Sequence, residues 1–204
     1  MSSLVIVLAF VVLNGDRVAA QQMADMPYDL HFIDMMIMHH QEGIEMAQMA
    51  QTKSQNPKVK TFATKTAADQ QKDIEELQGH RNHWYAGKPL MDHAMMESMM
   101  ASMHPGMKMD MEDTRRKLLA ATGATFDRLF LDTMIHHHMM AIDMANDAKI
   151  KAEHPEIKEL VAKALLTQQA EITEMNLLKG VKTSKPVSKS KPKPKSKTPS
   201  KHVH

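Results

Sequence analysis

The sequence predicts an all-α protein: an antiparallel four-helix bundle made from a duplicated helical hairpin, with a Met-rich helical insert between the halves. Three observations predict this class. Glycine occurs only 7 times in 204 residues and aromatic residues make up 4%, which disfavours β-sandwiches and barrels. Apolar residues recur at spacings of three and four, as they do on one face of a helix. The chain also repeats itself.

The repeat relates residues 32–77 to residues 130–175 at a constant offset of 98, without a gap. Of the 46 aligned positions, 18 are identical, which chance would not give. Each copy is expected to form two helices, because Pro57 and Pro155 stand where proline is favoured, in the first turn of a second helix. Neither hairpin buries its apolar stripe alone, so we expect the two to pack together.

The two ends of the chain differ from this body. A ten-residue apolar run followed by Val18-Ala19-Ala20 is the pattern of a cleaved signal peptide, although no basic residue precedes the run. The C-terminal segment holds nine Lys, four Pro, five Ser and no acid, which predicts disorder. The expected parts are a signal peptide at 1–20, a Met/His-rich bundle at 21–178 (halves 28–78 and 126–178, insert 79–125) and a tail at 179–204.

Two Met-x-x-His-His motifs occupy equivalent positions in the first helix of each half. Residues three or four apart share a helix face, so each motif directs its thioether and its imidazoles to the same side. The alternative is that Met fills gaps in the core and that Gln70 or Gln168 satisfies the histidines. Because the whole unit is duplicated, we favour a metal site. The candidate ligands in the bundle are Met36, His39, His40, Met46, Met134, His137, His138, Met140 and Met144.

These donor atoms point to copper. Thioether is a soft, neutral ligand that suits Cu(I), and imidazole also binds copper, so we expect copper with Cu(I) preferred and Ag(I) as a mimic. The sequence has no Cys and no Glu-x-x-His, so Cys-ligated zinc, iron–sulfur and di-iron sites lack their ligands. It also has no phosphate-binding loop and no nucleophile elbow, and we do not expect an enzyme.

The insert is dense in methionine at steps of four, and a helix is expected up to His104, since Pro105 and Gly106 break it. Rows of thioethers provide several Cu(I) positions of low charge. The alternative is a Met-rich amphipathic helix that docks on a partner surface. The insert residues expected to bind copper are Met95, Met96, Met99, Met100, Met103 and His104.

The repeated His-His-x-x-x-Ile-[Glu/Asp]-Met-Ala motif, followed in each half by Gln-Gln-x-x-Ile-x-Glu, resembles a ferritin-like family of exported Met/His-rich domains. The resemblance covers roughly residues 28–178. It implies a ferritin-like bundle and copper binding in the periplasm or outside the cell, with a role in copper resistance or delivery. The second half departs from the first at His136 and Met139-Met140, so the two halves are expected to differ in affinity or in ligand number.

The predicted function is that of a copper chaperone or of a sequestering protein in copper homeostasis. The alternatives are a non-enzymatic envelope module that docks a partner on its Met rows, and a copper oxidase or reductase, which thioether-rich sites disfavour. Copper ions are the expected partners, together with a copper transporter or sensor domain in the envelope. Residues 25–178 carry 16 basic and 23 acidic side chains, so only the basic tail is expected to contact an anionic envelope surface. We expect no nucleic-acid partner.

Overall fold

The computed structural model describes residues 26–91 and 111–180, which form five helices and no strand. The all-α class is therefore confirmed for the described part of the chain. None of its helices is both long and apolar enough to span a membrane. The signal peptide, residues 92–110 of the insert and the tail from residue 181 lie outside the described residues. The helices are α1 (Tyr28–Lys53), α2 (Pro57–Trp84), α3 (Met111–Ala120), α4 (Gly123–Lys151) and α5 (Pro155–Leu178).

Each half folds as a helical hairpin: α1 packs along α2, and α4 packs along α5. Both predicted prolines stand at the first turn of a second helix. Asn56 caps α2, since its side chain accepts a hydrogen bond from the Lys58 amide at 3.0 Å. At α5 the cap comes from the other half, because the Asp29 carboxylate accepts the amides of Glu153 and His154. This contact ties the two hairpins together.

The hairpins meet through α1 and α4, which run antiparallel. The core falls into two apolar clusters, one containing Met36 and Met144, the other containing Met46 and Met134. Met36 is the repeat equivalent of Met134, and Met46 is the equivalent of Met144. In each cluster, the methionine before the histidines of one half therefore packs with the methionine after the histidines of the other half. This arrangement gives the two halves an approximate two-fold axis.

Helix α3 was not predicted. It contacts α1 and α4 and buries only Leu118, so it carries no apolar stripe that periodicity could reveal. Lys53, at the end of α1, donates hydrogen bonds to the carbonyls of Leu118 and Leu119, which close the last turn of α3. In the other part of the insert, the first residues continue the second helix, which ends at Trp84.

Candidate metal centre

Four histidines occupy the region between the two apolar clusters, two on α1 and two on α4. All four are buried, and His39 and His137 are 1% and 0% exposed. The rings of these two stack with their centroids 3.6 Å apart and their planes inclined by 23°. Because His39 and His137 are repeat equivalents, the stack lies on the approximate two-fold axis.

Glycine makes this close approach possible. A Cβ atom on Gly43 would lie 2.8 Å from Cε1 of His137 and 2.3 Å from Oε1 of Gln70, both far inside ordinary contact distance. The equivalent position in the second half is Ala141, which is buried in a cluster of the core. The two halves are therefore not identical around the histidines, as the sequence differences between the motifs lead one to expect.

Two of the four imidazoles form hydrogen bonds, and both do so through Nε2. That atom of His137 donates to the carbonyl of His39 at 2.9 Å, and that atom of His138 lies 2.7 Å from a carboxylate oxygen of Glu171. None of the four Nδ1 atoms has a hydrogen-bond partner in the described part of the chain. Nε2 of His39 also lacks a partner. Buried polar atoms are nearly always paired, so five orphaned ring nitrogens in one layer mark an unusual site.

Electrostatics hold three of these rings in the neutral form. Burial and the neighbouring imidazoles lower the pKa of His39 and of His137 well below the ordinary value. Burial and the nearby His138 lower the pKa of His40 to about 4. A neutral imidazole with Nε2 protonated carries its free lone pair on Nδ1. The site therefore presents unprotonated nitrogen donors at neutral pH.

Two carboxylates, which the sequence analysis missed, connect the histidines to the surface. Glu171 pairs with His138 and also accepts a hydrogen bond from Lys65 at 2.9 Å. In the other half, Asp73 faces Nε2 of His40 at 3.8 Å and lies 4.0 Å from Lys163. Both series of side chains, here called the His–carboxylate–Lys chains, run from a histidine through a carboxylate to a lysine. Each residue of one series is offset by 98 positions from its counterpart in the other. Each lysine comes from the opposite hairpin.

The repeat alignment already contained this signal. Lys65 aligns with an identical lysine, and Asp73 aligns with an acid, on helices that face the motif helices. A carboxylate hydrogen-bonded to one ring nitrogen fixes the tautomer and raises the basicity of the other, as it commonly does at metal sites. Burial alone would raise the pKa of Glu171, but the hydrogen bond with His138 and the charge of Lys65 bring that pKa below its usual value.

Two acids that repeat between the halves, Asp34 and Asp132, form ion pairs. Asp34 forms a buried ion pair with Arg81, with 2.6 Å between Oδ1 and Nε, and its counterpart Asp132 pairs with Lys179, the repeat equivalent of that arginine. Both pairs link a first helix to the end of a second helix. The glutamines do not satisfy the rings either, because both polar atoms of the Gln70 side chain lack a partner within the described residues.

The remaining predicted ligands divide into two groups. The methionines expected in the bundle are all buried, at 6% exposure or less, and lie on α1 and α4. The six insert residues from Met95 to His104 fall outside the described residues, and their role stays a prediction. Within the described ranges no three His, Asp or Glu side chains are grouped so as to hold a metal ion.

Residues 29–179 match the family described as Domain of unknown function (DUF305). The chain belongs to this family. Among solved structures, this DUF305 chain is similar to CopM in the Cu(II)-bound form, with 33% identity over 75% of this chain and 97% of that chain and a TM-score of 0.59. The Cu(I)-bound form is 32% identical over 76% and 97%, with a TM-score of 0.60. An Ag-bound form is 32% identical over 74% and 95%, with a TM-score of 0.59.

Two more distant relatives add less. A DUF305 protein from Streptomyces coelicolor is 24% identical over 78% of this chain and 97% of that chain, with a TM-score of 0.66, and it supports the fold alone. An uncharacterized protein of Acanthamoeba polyphaga mimivirus is 42% identical over 50 residues, which are 24% of this chain and 33% of that protein. The match thus spans about a third of the viral protein.

Proposed function

We propose that this DUF305 protein binds copper, chiefly Cu(I), and serves as a copper chaperone or sequestering protein without catalytic activity. The observation that carries the proposal is the layer of four buried imidazoles, each with an unpartnered Nδ1. The choice of copper is supported by CopM, which is about a third identical and was solved with Cu(II), with Cu(I) and with Ag.

The donors in this chain fit a soft monovalent ion. Neutral rings accept a metal without first losing a proton, and Cu(I) favours thioether and imidazole together. The rings of His39 and His137 lie face to face, whereas ligand lone pairs lie in the ring plane, so these two rings do not share one ion across the stack. We therefore assign one donor set to each half. The sets are Met36 with His39 and His40, and Met134 with His137 and His138.

The cellular setting is part of the proposal. The apolar run and the small residues before Gln21 support export to the periplasm or beyond the cell. The absence of Cys is compatible with export. The antiparallel contact of the two hairpins supports a ferritin-like four-helix bundle. A copper transporter or sensor domain in the envelope is the proposed recipient, and the basic tail is the segment proposed to contact anionic envelope surfaces.

An anaerobic Cu(I) titration of the protein against a chromogenic chelator tests the proposal, with Zn(II) run in parallel. We expect several tight Cu(I) equivalents and little uptake of Zn(II). Substituting His39, His40, His137 and His138 by Ala should weaken the bundle sites. Substituting Met95, Met96, Met99, Met100 and Met103 by Leu should remove the equivalents of the insert and leave helicity nearly unchanged.

The two variants serve as controls for each other, because each should lose a different class of site. Failure of the wild-type protein to compete for Cu(I) would overturn the proposal. The methionine rows would then be packing or docking surface, and a non-enzymatic envelope interaction module would be the better function.

A further inference from the structure

A groove of about 310 Å³ lies on the outer side of α1, between that helix and α3. The four-histidine centre does not use it. Four of the nine residues that line it are methionines, in a wall that otherwise consists of charged and amide side chains. The lining residues are Met38, Gln41, Glu42, Glu45, Met46, Met49, Met111, Glu112 and Arg115.

The methionines of the groove lead from solvent to the core. Met38, Met49 and Met111 are half-buried, so their side chains are accessible from the groove. Met46 lies at its inner wall and is 1% exposed. Met49 and Met111 also pack against the apolar cluster that contains Met46 and Met134. Methionines therefore line the groove and also pack against the apolar cluster that holds two of the buried candidate ligands.

The charge of the groove favours cations. Three glutamates line it against one arginine, and that arginine is engaged by Glu112 at 3.3 Å. Carboxylates raise the local cation concentration, but no three acidic or histidine side chains of the described residues are grouped so as to bind a hard ion. The donors that remain are neutral thioethers, which discriminate in favour of soft ions.

The methionines that α1 contributes to the groove at its two exposed ends are not repeated in the second half. Its repeat counterparts to Met38 and Met49 are His136 and Asp147, so the packing that the two hairpins share does not require methionine at these positions. In the second half, Asp147 instead accepts a hydrogen bond from Tyr28 at 3.1 Å.

We propose that this groove is a separate binding site for a soft monovalent cation, Cu(I) or Ag(I), with Met38, Met49 and Met111 as its ligands. The site lies at the surface, on the outer side of Met46. From there the ion passes to the buried donor sets of the two halves. This inference rests on the proposed function and extends it, because it assigns the place where the ion first meets the folded protein.

The test uses Ag(I), which needs no reductant, on the full chain. The variant is Met38→Leu with Met49→Leu and Met111→Leu, since Leu conserves volume and removes only sulfur. The control is Met139→Leu, which removes a thioether that is 46% exposed and lies outside the groove. Equilibrium dialysis should show that the triple variant binds about one Ag(I) equivalent fewer than wild type, a one-site loss expected of soft thioether ligands, while the control is unchanged.

A second measurement does not depend on the variant. Substoichiometric Ag(I) should protect Met38, Met49 and Met111 of the wild-type chain from peroxide oxidation, read residue by residue by peptide mass spectrometry. Unchanged stoichiometry together with unprotected sulfurs would overturn the inference and leave these side chains as packing. Uptake of no Ag(I) by the wild-type chain would overturn the proposed function as well, so the two failures are distinguishable.

Discussion

Gly43 is the residue that permits the close packing of the two motif helices. It stands one turn after the histidines of α1, against the His137 ring and the amide of Gln70. The pattern of small and apolar residues placed this position on the inner face of the helix. It did not reveal the ring stack, because the period of a helix states which face a residue occupies but not which side chain it meets across the bundle.

Replacing Gly43 by Ala should lower the free energy of unfolding by about 1–3 kcal/mol, the usual cost of overpacking a close-packed interior. The added methyl must displace Gln70 and the ring of His137, which the stack restrains. Chemical denaturation measures the change. The matched control is Gly79→Ala in α2, where a Cβ meets nothing within 4 Å and where helix propensity should raise stability by up to about 1 kcal/mol. Equal stability of the Gly43 variant and wild type would contradict the assigned packing.

At the scale of helices, the repeat produces two equivalent ion pairs that differ in burial and therefore in their contribution to stability. The Asp34 and Arg81 side chains are 3% and 9% exposed, and the arginine also donates to the carbonyl of Pro89 at 2.9 Å. The equivalent Asp132 is 46% exposed, and its partner is Lys179. A buried charge left alone is costly, whereas a solvated one is not.

We therefore expect Asp34→Ala to destabilise the protein by about 3–5 kcal/mol and Asp132→Ala by less than about 1 kcal/mol. The first leaves the Arg81 guanidinium buried without its carboxylate. The second removes a carboxylate that is 46% exposed and leaves a lysine whose side chain is 14% exposed and reaches solvent only in part. Thermal unfolding of the two variants side by side measures the difference. Similar losses in both would mean that the two pairs are equally solvated, against the burial described here.

The sequence predicted four of the five described helices, because their apolar residues recur at helical spacing and prolines mark two of the starts. Helix α3 escaped because a single buried leucine creates no period. The His–carboxylate–Lys chains escaped for a different reason. Their members are spread over three helices, and in the sequence each acid resembles any solvated acid of an amphipathic helix.

At the scale of the whole molecule, acidification should lower the free energy of unfolding. In the folded protein the pKa of His40 is about 4, against an ordinary value of 6.5. Between these pH values the unfolded chain binds more protons than the folded one, so the free energy of unfolding falls as pH falls from about 6.5 to about 4. The depressed pKa values of His39 and His137 act in the same sense. The lowered pKa of Glu171 adds a loss below its ordinary range.

For the metal-free protein we expect the unfolding free energy at about pH 5 to be lower by about 2 kcal/mol than at about pH 7.5 from His40 alone. Denaturant titration at the two pH values measures it. A His40→Gln variant provides the comparison, since it should lose less stability on acidification than wild type. Identical losses in the variant and in wild type would show that this ring is not held neutral by burial.

In the proposed sites, copper is bound by sulfur and imidazole together. The most direct measurement is copper K-edge X-ray absorption of the Cu(I)-loaded full chain, next to the variant with His39, His40, His137 and His138 replaced by Ala. We expect sulfur and nitrogen scattering in wild type, and a clear loss of the imidazole contribution with sulfur retained in the variant. Nitrogen and oxygen scattering alone in wild type, or an unchanged spectrum in the variant, would contradict it.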